Sequence, residues 1–345
     1  MLLLALAGCR SSAAPEPSGP VEAAPASEPS ALEAVEPPVA PADPHASSSS
    51  ADSPRVRELS ITVLSTTMAS AETPHTTGEW GFSALVEVDG QRILFDTGAK
   101  HRTVRDNAEA LGIDLSTVPT VVLSHHHDDH VGGLLTLRES VVEREPSALG
   151  TVHVAAGIFE PRRMAGKTYE VNAMLRIRPA FEATGGRFVV HDGPAELAPG
   201  LWLTGPVPRP ERERNWGTSR RIRSGDGWGE DTLPESQSLV LDTDRGLVVL
   251  SGCGHAGIVN TVTYARSAIR PAPIHAAVGG FHLHQAGAKH LAWTGERLEE
   301  VELHHFEGAH CTGEGAVRRF AGLSTIADGG SRELRVGDRF VLESP

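Results

Sequence analysis

The chain has 345 residues, 39% of them apolar and 22% charged, a length that fits two domains or one large one and a composition able to bury a core. Its net charge of −13 leaves no cationic face of the size needed to neutralise several phosphates, so no nucleic-acid partner is expected. Three cysteines exclude a disulfide framework.

Charge and composition divide the chain unevenly. Residues 1 to 54 hold Arg10 against seven acids, a balance of −6 that leaves −7 for everything after them. Met1 to Gly8 is an apolar run ending in Leu6-Ala7-Gly8-Cys9, too short to span a bilayer, which needs about 20 apolar residues, but with the small residues that precede processing in exported proteins. It resembles a bacterial lipoprotein signal over residues 1–9, which implies a lipid on Cys9 and a periplasmic position at the cell envelope. Membrane contact is expected only through that lipid. Residues 10–55 are rich in Ala, Pro, Ser and Glu, a composition that cannot offset the entropy of ordering, and they are expected as a disordered tether. The folded domain is expected over 56–345.

Within that domain Leu59, Ile61 and Val63 alternate with polar residues, as in a half-buried strand. Two more strands, Ala84 to Val88 and Arg92 to Phe95, flank Asp89-Gly90, a favoured hairpin pair. Val104, Ala108 and Leu111 fall at helical spacing ahead of Gly112, which fits a C-cap. The apolar run Val118 to Leu123 predicts a strand covered on both faces, and it leads into Ser124-His125-His126-His127-Asp128-Asp129-His130. An apolar helix after Gly132-Gly133 and strands near Thr151 to Ala155, Phe188 to Val190 and Leu201 to Thr204 come next. Glu211 to Leu233 is charged, Gly-rich and without a period; an exposed loop is expected there. Ser238 to Leu241 and Leu247 to Leu250 predict a hairpin running into Gly252-Cys253-Gly254-His255. A helix from about Asn260, a strand Ile274 to Val278, a helix around Glu296 to Leu303 and a final hairpin near Leu334 to Leu342 complete the reading. The order predicts an α/β layered sandwich of mixed sheets with helices outside.

The histidine segment carries the chemistry. In extended backbone residues i and i+2 point the same way, so His125 and His127 can grip one ion, while Asp129 and His130 face a second or complete the first. Imidazole and carboxylate suit zinc, with manganese or iron as alternatives. His126 and Asp128 fall between ligand positions. A terminal tag would not follow a strand.

Leu94-Phe95-Asp96-Thr97-Gly98, the histidine segment, Asn107 to Leu115, Ser251 to Asn260, Gly279-Gly280-Phe281-His282-Leu283 and His310-Cys311-Thr312-Gly313 are together similar to motifs of the metallo-β-lactamase superfamily. The resemblance covers roughly residues 59 to 345 and is nearest to a branch named for an archaeal dihydropterin ribofuranosyl-aminobenzene phosphate synthase. It implies a four-layer αββα sandwich with mixed sheets and a centre of one or two zinc ions. It also implies His310 as the last metal histidine. Most members end the hairpin before Gly252 in Gly-Asp, whose carboxylate bridges two ions; here Cys253 stands in that place. His255 is the natural replacement, with the Cys253 sulfur as a further candidate. Asp96 is expected to orient a ligand imidazole, and His282 is either a ligand, a proton carrier or a hydrogen-bonded core residue. His75, His101, His153, His191, His304 and His305 are read as surface or packing residues.

A metal site of this kind makes hydrolysis the default, with a metal-bound hydroxide attacking a small phosphoester, lactone or amide. Asp129 and His282 are the candidate catalytic residues. The loops Glu79 to Ser83 and Gly205 to Arg209 are similar to family segments beside the site, and Arg209 is a candidate grip on a substrate phosphate or carboxylate, against the alternative of a solvated arginine. A pterin-related synthase or transferase, and a non-catalytic metal-binding protein, are the alternatives.

Overall fold

The computed structural model describes residues 54–343. The signal expected over 1–9 and the tether up to residue 53 lie outside the described residues. Val56 is already fully buried, with its amide donating to Asp242 O at 2.9 Å.

In chain order the strands of the first half are β1 (Glu58–Ser65), β2 (Ser83–Val88), β3 (Gln91–Phe95), β4 (Thr120–Val122), β5 (Thr151–Ala155), β6 (Arg162–Met164) and β7 (Arg187–His191). The second half adds β8 (Ala195–Ala198), β9 (Leu201–Leu203), β10 (Arg220–Ser224), β11 (Gly227–Glu230), β12 (Ser238–Thr243), β13 (Gly246–Ser251), β14 (Ile274–Gly279), β15 (His305–Gly308), β16 (Ser331–Glu333) and β17 (Arg339–Glu343). They build two seven-stranded sheets, ordered β17-β1-β2-β3-β4-β5-β7 and β16-β15-β14-β13-β12-β9-β8, and a three-stranded one, β11-β10-β6. Each large sheet is mixed: β17 to β3 pair antiparallel and β3 to β7 parallel, while β16 to β13 pair parallel and β13 to β8 antiparallel.

Strand periodicity explains the layering. Leu59, Ile61, Val63, Ala84 and Val86 meet Leu239, Leu241, Val248, Leu250 and Val278 in one core between the large sheets. The alternate residues face outward. Leu85, Leu94 and Val121 pack with residues of α1 (Thr103–Ala110), α3 (Leu134–Val141) and α4 (Met174–Ala183), α2 being the short turn Asp128–Val131. Val240, Leu247, Val249 and Ala277 pack with α5 (Ile258–Ala268), α6 (Ala288–Glu300) and α7 (Glu314–Phe320). The result is the expected four-layer αββα sandwich. Among the described residues no helix is long and apolar enough to cross a membrane.

Three expectations are corrected. Glu211 to Leu233 is not a plain exposed loop: it contains the β10–β11 hairpin and buries Glu213, Asn215, Asp231 and Leu233. The pattern is hidden because Arg163 of β6 covers Trp228 at 4.0 Å and Arg214 pairs with Glu230, so cations sit where apolar side chains would mark a face. The helix expected around Glu296 to Leu303 runs instead over Ala288–Glu300, passing through Gly295, where a Cβ would meet Leu323 at 3.0 Å, so the glycine serves close packing within the helix. The final segment is not a hairpin. β16 joins β15 in one sheet and β17 joins β1 in the other, and Gly337, with φ of 92°, turns the crossover between them.

Candidate metal centre

The site lies beyond the carboxyl ends of parallel strands, where α/β sheets gather ligands. β3 delivers Asp96, β4 delivers His125 to His130, β13 delivers Cys253 and His255, β14 delivers His282, and β15 delivers His310 and Cys311. The ladders align Ser251 with Gly279 and Gly279 with Gly308, so the last three loops leave their strands at one level.

His125, His127 and His255 offer one nitrogen each within 4.8 Å of one another. The Nε2 atom of each is buried and has no hydrogen-bond partner, a costly state for a polar atom unless a ligand completes it. The opposite ring edges of two of them are held by protein: Ser124 Oγ lies 2.9 Å from His125 Nδ1, and Asn215 O accepts from His255 Nδ1. A neutral imidazole fixed at Nδ1 presents Nε2 as an acceptor, the arrangement a metal ligand needs. Burial, followed by the neighbouring histidines, pushes His125 and His127 well below the usual imidazole range, and burial with His282 lowers His255 to about 3. The triad is therefore neutral at physiological pH and fits a divalent cation.

Asp129, His130, Cys253 and His310 form a second group within 4.8 Å. Asp129 Oδ2 lies 3.2 Å from His310 Nε2 and 3.7 Å from His130 Nε2, yet both nitrogens of His310 are buried without a hydrogen bond of good geometry. Asp96 is fully buried; its Oδ2 accepts from His130 Nδ1 at 2.7 Å and Ser124 Oγ at 2.7 Å, and its Oδ1 accepts from Ser124 N at 2.7 Å. One carboxylate thus steers His130 directly and His125 through Ser124. Burial alone would raise the Asp129 carboxyl, but the charge of His130 outweighs it and leaves the group lowered.

The backbone is forced into place. Asp96, His282 and His310 all have positive φ, of 55°, 51° and 48°, a strained state for residues with side chains that functional sites retain. A Cβ on Gly252 would lie 2.2 Å from Ser124 Oγ and 2.3 Å from Asp96 Oδ2, so only glycine lets the β13 loop reach the β3 and β4 loops.

Other residues fall around this pair of groups. His126 turns away: its Nδ1 lies 2.6 Å from Glu235 Oε1, whose other oxygen accepts from Arg162 at 2.7 Å, all three buried. Asp128 is exposed. The His282 ring lies 4.7 Å from that of His255, with Nδ1 buried and unpartnered. Arg209 is not brought into either group; its Nη2 donates to Leu233 O at 2.7 Å and its guanidinium sits over Trp216 at 5.4 Å. A cleft of about 460 Å³ opens beside His282, lined by Arg212, Arg214, Trp216, Gln285 and His290. Trp80, 53% exposed, places its ring 5.0 Å from His310. The loop Glu79 to Ser83, expected beside the site, brings this tryptophan there; sequence alone carried no sign of Asn215, which has no signature beyond its loop.

The family model of the metallo-beta-lactamase superfamily matches residues 78–266. A 7,8-dihydropterin-6-methyl-4-(beta-D-ribofuranosyl)-aminobenzene-5'-phosphate synthase of Methanocaldococcus jannaschii is 29% identical over 251 residues, 70% of this chain and 83% of the relative. An uncharacterised protein of the same archaeon is 27% identical over 259 residues, 72% of this chain and 90% of the relative. A crystal structure described as a metal-dependent hydrolase of the beta-lactamase superfamily superposes with a TM-score of 0.65 at 25% identity, covering 83% of this chain and all of the other.

Proposed function

The chain belongs to the metallo-β-lactamase superfamily, and from that premise we propose that it is a metal-dependent hydrolase of a small phosphoester, lactone or amide. The observation that carries the reading is the convergence of three buried, unpartnered Nε2 atoms from His125, His127 and His255. In the proposal these hold one ion, zinc by preference, and Asp129, His130 and His310 hold a second. A bound ion of this kind lowers the pKa of water from 15.7 to about 7 and so supplies a nucleophile. The residues do the rest. Asp129 Oδ2 accepts a hydrogen bond from the attacking water and orients it. His282 Nδ1, buried and without a partner in the protein, is placed to hand a proton to the leaving group. Asp96 fixes the ring of His130 and keeps its Nε2 turned to the site. The cleft beside His282 has room for a small molecule, and its Arg212 and Arg214 suit an anionic one.

The test is turnover of a generic phosphodiester, lactone or ester panel with added zinc or manganese, lost in His127→Ala and Asp129→Ala. No turnover across the panel by metal-loaded protein would reject the hydrolase. The second reading is a synthase or transferase on a pterin-like substrate, supported by the identity to the M. jannaschii synthase; product formation from a pterin precursor without hydrolysis of the panel would favour it. We also propose that the protein sits at the periplasmic face of the cell envelope on a lipid carried by Cys9, a reading supported by the apolar run ending in Leu6-Ala7-Gly8-Cys9. Radiolabelled palmitate should enter the wild type and not Cys9→Ser; equal labelling of both would reject the anchor.

A further inference from the structure

Two cysteines meet inside the site. The Sγ atoms of Cys253 and Cys311 lie 3.3 Å apart, and both residues are buried, at 2% and 0% exposure. Cys253 Sγ also lies 3.1 Å from His130 Nε2. It belongs at once to the group with Asp129, His130 and His310 and to a further group with His282 and Cys311. Cys311 Sγ receives the backbone N–H of His282 at 3.3 Å, a donor aimed at sulfur. A cysteine that merely packs behaves as a small hydrophobe among apolar neighbours; here the neighbours of the two sulfurs are imidazoles and a carboxylate. The backbone is shaped for the approach as well. A Cβ on Gly280 would lie 1.9 Å from Gly252 O and 3.2 Å from Cys311 Sγ, so the β13, β14 and β15 loops close around the sulfurs only because that residue is glycine. Unpartnered nitrogens of His282 and His310 complete the surroundings.

We propose that a thiophilic divalent ion is held in this centre by sulfur from both Cys253 and Cys311, with Cys253 Sγ shared between them and the Asp129–His130–His310 group. The inference rests on the metal-dependent reading above and adds two ligands and a selectivity to it. Each thiol releases its proton to solvent on ligation and no electron is transferred. Sulfur donors favour zinc, cobalt or cadmium over manganese or magnesium, so the second position differs in softness from the all-imidazole position of His125, His127 and His255.

The experiment uses the full chain, reduced and loaded anaerobically with cobalt(II). A near-ultraviolet sulfur-to-cobalt charge-transfer band is expected, weakened to about half in Cys311→Ser and absent in the Cys253→Ser, Cys311→Ser double variant. Cobalt bound without such a band, or a band unchanged in Cys311→Ser, would overturn the proposal and leave the histidine site standing. A protein that binds no cobalt would instead overturn the metal-dependent reading itself. A second measurement needs no variant: alkylation of the wild type followed by peptide mapping should show Cys253 and Cys311 protected by zinc and not by manganese. Equal modification with either ion would contradict thiolate ligation.

Discussion

The two large sheets have equal strand counts and the same mix of parallel and antiparallel pairing, yet they deliver their site residues in different ways. The first sends His125, His127, Asp129 and His130 out on a single loop after β4, whereas the second sends Cys253 with His255, then His282, then His310 with Cys311 on three. On one side, relative position is set by local backbone. The loop is strapped down by Thr97 N, which donates to His130 O at 2.7 Å, and by Gln237 N, which donates to Ser124 O at 3.0 Å. On the other side, position is set by the register of β13, β14 and β15, because a parallel ladder fixes how far each chain end protrudes. Local geometry survives a neighbour's error; register does not.

Substitutions that break one side or the other sharpen this contrast. The largest effect is expected from His127→Ala, which removes a donor from the dense loop: affinity for zinc, read by chelator competition, should fall by more than the ~10–100-fold that loss of a supporting residue costs. Asp96→Asn should come next, about 10–100-fold, since it keeps the shape but loses the carboxylate that steers His130 and Ser124. Gly252→Ala tests the other side. Its new methyl would push against Ser124 and Asp96, and urea unfolding should show a loss of about 1–3 kcal/mol, as overpacking does. The smallest effect lies away from the metal groups. Burial raises Glu213 to about 7 from 4.5, despite the N–H groups of Val259 and Asn260 that it accepts. The folded protein there retains a proton that the unfolded chain has released, so stability should fall as pH rises from 4.5 to about 7 and level off above. Glu213→Gln should flatten that slope by up to about 1.4 kcal/mol per pH unit, the worth of one pKa unit; an unchanged slope would assign it to other groups.

The same contrast decides what could be read before the structure. The alternation of Leu59, Ile61 and Val63 marked β1, and the apolar runs of β12 and β13 were legible because those strands bury one face between the sheets and the other under helices. His125 to His130 was legible because six consecutive residues carry their own geometry. Its motif set Cys311 beside the metal centre and its loop set Trp80 near it, but the partners of each were not legible, since nothing local to a lone residue says which loop it will meet; Trp80 reaches His310 only through the fold. The β10–β11 hairpin was hidden because its faces are marked by arginines and glycines. The crossover near Gly337 was misread because a glycine and an aspartate that suit a hairpin serve equally well to pass the chain between sheets.

The central claim is that donors from both sheets hold one ion. Zinc bound per chain should be measured for the wild type, His127→Ala, His255→Ala and the double variant. The account predicts that either substitution removes the same ion and that the double variant loses no more than each single one. Independent, additive losses from the two substitutions, or full metal content in both, would contradict it.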